Sequence, residues 1–227
     1  MLKRTLIKLK TYGTLKEPEK EKKMNSKKTL RNKQIGDLVF ASIISLIIII
    51  MTFVPSLGYI PIGPVAITII HIPVLIGTII LGRKYGMLFG LIFGLGSMIR
   101  SFMEYTLYAP FTNPIVSVLP RIVFGFIIYD IFRLFLNTLK KEALAVPLTM
   151  VTATLIHSLI VLPLLFLAMK TGFYFFSNEV IFNLNENLFN FIWGIFIANS
   201  IFEIALATII GSAVTIPLLI LKKANYD

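Results

Sequence analysis

The sequence predicts an all-α membrane protein, a single compact bundle of six transmembrane helices with both termini on the cytoplasmic side. Three observations carry that expectation. Of the 227 residues, 56% are hydrophobic and the mean hydropathy is +0.85. That exceeds the roughly 45–50% apolar content of soluble domains, so too few polar residues remain to cover a water-facing surface. The apolar residues also fall into runs near the ~20 residues needed to cross a bilayer: 37–54, 65–82, 86–100, 115–136, 145–169 and 188–221. Finally, the basic residues alternate by side. Arg83 and Lys84, Lys140 and Lys141, and Lys222 and Lys223 follow the second, fourth and sixth runs, whereas the connection after the first run carries no charge. The positive-inside rule makes those basic loops cytoplasmic and places the chain in the bacterial inner membrane.

Taken in order, residues 1–35 read as a basic, unordered cytoplasmic tail and residues 36–223 as the helical domain. The net charge of +11 is concentrated in the tail, where 12 of the 22 Lys and Arg lie in the first 33 residues. A charged tail beside a first span is a topology signal that prefers anionic lipid, so no nucleic acid partner is expected. The first apolar run lies too far along for a removed signal peptide. The first span carries Ala41 and Ser45, and the third carries Gly86, Gly90 and Gly94, each set at four-residue spacing. Such stripes let helices approach where lipid offers no hydrophobic drive to associate. They serve either packing within the domain or docking of a partner. Ala207 and Gly211 in the long sixth run make a weaker copy.

Several chemistries are excluded. With no cysteine and only His71 and His157, thiolate metal sites are impossible and a metal-dependent hydrolase is starved of ligands. Neither a His-Glu-x-x-His helix nor a Gly-x-x-x-x-Gly-Lys-Ser/Thr phosphate loop is present. No catalytic residue, metal or cofactor is therefore expected, and ATP-driven work would have to be powered by another polypeptide. Ser97 and His157, the only candidates for an intramembrane nucleophile and base, lack a supporting motif.

Ionisable residues inside spans cost roughly 2.5–3.5 kcal/mol at the helix centre, so each needs a reason. Arg121 directly follows Pro120 and lies about 9 Å below the outer end of the fourth span. It either snorkels or bonds a neighbouring carbonyl, or it clamps an anionic ligand. Arg100 ends the third span on the same side, and two arginines at one mouth favour a carboxylate or phosphate, which guanidinium grips bidentately. Asn199 matches Arg121 in depth. Glu203, about 10 Å deeper by the same rise, is expected to miss it and to hold a packing hydrogen bond or a proton. Asp130 and Arg133, three apart, suit an intrahelical pair. His71 precedes Pro73, whose missing N–H frees a carbonyl that a neighbour must satisfy. The aromatic, proline-stiffened loop 101–114 is a lid or an interfacial belt. The candidate binding set is Arg121, Asn199, Arg100, His71, Asn113, Tyr105 and Trp193.

Several segments, in order, resemble the substrate-binding S component of an energy-coupling factor (ECF) vitamin transporter. They are Pro61-Ile62-Gly63-Pro64, Ile70-His71-Ile72-Pro73-Val74-Leu75-Ile76-Gly77, Leu81-Gly82-Arg83-Lys84-Tyr85-Gly86, the run Gly90 to Ser97, and Asn113 to Arg121. The resemblance covers residues 36 to about 135 well and the rest by hydropathy. It implies a six-helix subunit that captures a water-soluble vitamin from outside and delivers it by toppling in the bilayer. Its implied partners are a transmembrane scaffold subunit and two ATPase subunits, which would explain the missing phosphate loop. The family docks through Ala-x-x-x-Ala on the first span, and Ala41 and Ser45 occupy the matching positions. Its ligand pocket lies in the outer half, between the outer loops and spans 4 to 6. The pattern is closest to the pantothenate and folate members, and two outer arginines suit a carboxylated vitamin, pantothenate foremost. Folate, riboflavin, cobalamin and pyrimidine-type ligands, or a stand-alone secondary transporter, are the alternatives.

Overall fold

The computed structural model describes residues 19–54, 57–62, 65–103, 109–173, 175 and 186–224. They belong to two compact units, divided between Val39 and Phe40. In the first unit the described residues are helical from Glu19 onward, as the start of α1 (Glu19–Phe53). The expected unordered tail is thus helical over 19–35, while residues 1–18 lie outside the described residues. The local composition explains the helix: Glu and Lys are strong helix formers, and acidic residues at the first positions suit the positive end of the helix dipole.

The second unit contains the rest of α1, a β-hairpin of β1 (Tyr59–Ile62) and β2 (Val65–Thr68), and the helices α2 (His71–Leu81), α3 (Arg83–Met103), α4 (Pro114–Leu139), α5 (Glu142–Thr171), α6 (Glu186–Leu206) and α7 (Ser212–Ala224). A 3₁₀ turn, Ala109–Thr112, precedes α4, and a π-helical turn, Ala207–Gly211, joins α6 to α7. Five segments are long and apolar enough to cross a membrane: Leu30–Phe53, Arg83–Met103, Pro114–Leu139, Glu142–Thr171 and Ala198–Ala224. With the shorter α2 they account for the six expected helices. The third run is longer than the sequence suggests, a full 21 residues.

The second span departs most from expectation. Its 11-residue helix is about 16 Å long, and the outer part of the apolar run, Val65–Thr68, is a strand paired antiparallel with Tyr59–Ile62. Short apolar runs rich in β-branched residues do not distinguish strand from helix by periodicity. Non-helical backbone at membrane depth is tolerated where it lines a cavity, and Tyr59 and Thr68 do so; every α2 residue from His71 to Ile80 is buried. Because the helix starts at His71, Pro73 falls in its first turn, where the missing N–H has no intrahelical acceptor to lose. The carbonyl expected to be freed there is therefore not created. Gly82, at φ 95°, then turns the chain directly into α3, a conformation that favours glycine.

The small-residue stripe of α3 packs against α4 backbone to backbone. A Cβ on Gly86 would strike the carbonyl oxygen of Gly125, one on Gly90 the carbonyl of Arg121, and one on Gly94 the Cα of Val118 at 2.7 Å. Ser117 Oγ adds a bond to the Gly94 carbonyl at 3.0 Å. The stripe of α1 also faces inward. Ala41 is only 3% exposed and, with Ile44 and Ile48, joins the buried core, while Ser45 is half-buried.

The basic loops converge on one end of this unit. Arg83 pairs with Asp130, Lys223 with Glu142 at 2.7 Å, and Lys222 Nζ donates to the Ile80 carbonyl at 2.7 Å. Asp130 thus bridges α4 to α3 through Arg83, where an intrahelical bond to Arg133 was expected. Such exposed pairs are worth about 0–1 kcal/mol each, so they mark register more than they supply stability.

The seam makes a sharp demand on residue size. Gly90→Ala is expected to destabilise the purified protein by about 1–3 kcal/mol, the cost of overpacking. Gly194→Ala, where an added Cβ meets nothing within 4 Å, should leave the melting temperature unchanged or slightly higher. Equal melting of the two variants would show that the seam is not close-packed.

Candidate functional site

A proline creates the site's central feature. In α4 the carbonyl of Val116 would ordinarily accept from residue 120, but Pro120 has no N–H to give. The next residue fills the vacancy: Arg121 Nη1 donates to that carbonyl at 2.6 Å. The side chain is thereby folded back along its own helix and held inside the protein, at 6% exposure. Its guanidinium carbon lies 4.9 Å from the centre of the Phe111 ring and 5.6 Å from that of Phe93, cation–π distances that partly replace lost hydration. Nε is nevertheless buried with no hydrogen-bond partner among the described residues. Of the two sequence readings of Arg121, carbonyl bonding therefore accounts for one donor and leaves others uncommitted.

Arg121 lines a cavity of about 130 Å³. The hairpin contributes Tyr59 and Thr68 to the wall, α3 contributes Phe93, Ser97, Arg100 and Ser101, and the 3₁₀ turn contributes Phe111. Opposite them stand His157, Ser158, Val161, Leu162 and Leu165 of α5 and Asn199, Ser200 and Glu203 of α6. Aromatic and aliphatic side chains set among many convergent polar and charged groups suit a small polar molecule.

Of the candidate set, Arg121, Arg100 and Asn199 are brought together here. Arg100 lies 3.8 Å over the Tyr59 ring, and its Nη1 donates to the Thr52 carbonyl at 3.3 Å, so it ties α3 to both the hairpin and α1. His71 is fully buried beside the wall, its ring stacked on that of His157 at 6.1 Å and 15°. Asn113 is structural in its contacts: Oδ1 caps α4 by accepting from Ile115 N at 2.9 Å, and Nδ2 donates to the Phe173 carbonyl at 2.9 Å. Tyr105 lies outside the described residues, as does part of the candidate lid loop. Trp193 falls within α6, but its side chain is not among those described.

Two polar residues that sequence reasoning ranked low line the cavity. Glu203, expected to miss Arg121 and to hold a packing hydrogen bond or a proton, makes no ion pair with it and accepts at Oε1 from Thr68 N at 2.9 Å, while lining the same cavity. The donor of that bond belongs to the hairpin, an element the apolar run does not announce. His157 packs 4.6 Å from Phe124 and 6.0 Å from Phe93 between ring centroids, and its Nδ1 is buried without a partner among the described residues. The clue available in the sequence was the adjacent pair His157-Ser158 on one apolar span, since an intramembrane ionisable residue is a functional candidate by default. Among the described residues no three His, Asp or Glu side chains gather to hold a metal.

Comparison with known proteins supplies the family. Residues 36–215 match the model of the ECF transporter substrate-specific component. The pantothenate transporter PanT of Leuconostoc mesenteroides is 30% identical over 196 residues, covering 82% of this chain and 93% of that protein. The pantothenic acid transporter PanT of Lactococcus lactis is 26% identical over 192 residues, covering 78% and 88%. The match extends beyond the segments where the resemblance was read, through α5 and into α7, so both walls of the cavity fall within it. This multi-pass membrane protein belongs to the family of ECF transporter substrate-specific components.

Proposed function

We propose that this chain captures pantothenate at the outer face of the bacterial cell membrane and passes it inward as part of an ATP-driven importer. The observation that carries this reading is the buried Arg121 guanidinium, which lines the cavity with Nε uncommitted. A buried cation with unused donors is costly, and an anionic ligand is the group that offsets that cost. Pantothenate has one carboxylate, and the two relatives carry its name. Asn199 and Ser200 supply further polar contacts, and the aliphatic α5 residues suit the gem-dimethyl part of the molecule. Arg100 acts at the mouth by holding the hairpin through Tyr59.

Orientation follows from charge. The end carrying Arg83, Lys222 and Lys223 faces the cytoplasm under the positive-inside rule, and both termini lie there. The opposite end, with the hairpin and the start of α4, then faces outside, and the cavity lies toward it. Energy comes from partner subunits, a transmembrane scaffold and two ATPases, because the sequence has no phosphate loop of its own. Of the docking pair Ala41 and Ser45, Ala41 is packed inside the unit, so a bulky replacement there is expected to disturb the fold as well as any assembly.

Binding and transport test the two halves separately. In calorimetry, purified protein should bind pantothenate saturably, and Arg121→Ala should weaken binding roughly thirtyfold or more, the cost of removing one partner of a buried charge pair. Arg121→Lys should recover only part of the loss, since an ammonium lacks the planar fork. Near-normal affinity of Arg121→Ala would leave the arginine a purely structural group. In proteoliposomes, pantothenate uptake should require ATP and the scaffold and ATPase subunits together; uptake by this chain alone on an ion gradient would contradict the importer reading.

A further inference from the structure

Two chemically different sets of groups line the cavity. In one, Arg121 Nε and Ser97 Oγ are buried without partners among the described residues, offering donors to an anion. In the other set, Asn199, Ser200 and Glu203 come from adjoining positions of α6. Glu203 is buried, at 7% exposure. Its Oε1 is spent on the Thr68 N–H, which fixes the carboxyl group against the hairpin, whereas Oε2 has no protein partner among the described residues. Arg121 and Glu203 share the cavity, yet no ion pair joins them there. Had they met, each would satisfy the other and the site would close on itself. Unpaired with each other, the arginine keeps donors and the glutamate keeps an acceptor for a ligand in the cavity.

We infer that Glu203 is a specificity-determining contact, its Oε2 accepting hydrogen bonds from hydroxyl or amide donors of the ligand whose carboxylate sits on Arg121. An anion lacking such donors would satisfy the arginine and strand the glutamate, and a buried polar group left unpaired is penalised by its full desolvation. Sites built to bond a substrate hydroxyl for this reason reject analogues that lack it. Pantothenate carries its carboxylate at one end and two hydroxyls and an amide N–H along the rest, so this inference rests on the pantothenate reading and sharpens it into a rule of recognition.

The test compares pantothenate with the analogue in which both hydroxyls are replaced by hydrogen, by calorimetry on the purified full chain. Wild-type protein should bind the analogue roughly tenfold to a hundredfold more weakly. Glu203→Gln keeps a carbonyl oxygen for Thr68 N but presents an amide to the ligand. It should lose a similar factor for pantothenate while binding the analogue as the wild type does. Equal affinity of the wild type for both ligands overturns the assignment, and needs no variant to fold. A Glu203→Gln protein that discriminates as well as the wild type also overturns it. Pantothenate binding without discrimination removes the role of Glu203 alone, whereas no pantothenate binding to the wild type removes the pantothenate reading and this inference together.

Discussion

The structure depends on the contact between the backbones of α3 and α4. In lipid, apolar side chains gain nothing by leaving the solvent, so helices associate through close van der Waals approach and interhelical hydrogen bonds. Gly86, Gly90 and Gly94 give α3 a face without side chains, and Gly125 removes the obstacle on α4 where Gly86 meets it. The carbonyl of Arg121 itself rests against Gly90. The seam therefore fixes the backbone from which the site's principal cation projects, and fold and recognition are coupled at one residue.

On that fixed backbone, Pro120 and Arg121 form a paired device. Proline in a helix interior ordinarily costs about 3 kcal/mol, through its steric clash and the hydrogen bond it removes; here the stranded Val116 carbonyl becomes the anchor of a guanidinium. One donor group locks the side chain's direction and the remainder stay available, which is pre-organisation in its simplest form. Partly satisfied polar groups inside a bundle are a stability cost, and here several of them, on Arg121, Ser97 and His157, gather at one cavity. Others, on His71, Thr154, Thr208, Ser212 and Thr215, lie outside its lining, so what sets the cavity apart is that the group with an uncommitted donor there is a buried cation.

Much of this was legible from residue order. The apolar runs, the alternating basic loops and the glycine stripe of α3 are one-dimensional signals, and they survive because each helix has a single solvent and a single periodicity. The need for Arg121 to find partners, met in part by its bond to the Val116 carbonyl, could be read from its cost in a span. The hairpin could not, since Val-Ala-Ile-Thr suits strand and helix equally and only the pairing with Tyr59–Ile62 decides. A packing hydrogen bond to Glu203 was expected, but its donor, a backbone N–H of that strand, was not readable without the hairpin. Asn113 shows a local signal as well: its position before Pro114 is that of a helix N-cap, and its Oδ1 fills that role in α4.

A structure of the protein bound to pantothenate tests the central claim, that the α3–α4 seam presents Arg121 as the anion receptor of this cavity. The account predicts a carboxylate oxygen within hydrogen-bond distance of Arg121 Nε, with the Val116 bond retained and the Gly90 contact intact. Pantothenate bound with its carboxylate elsewhere, with Nε still unpartnered, would contradict it.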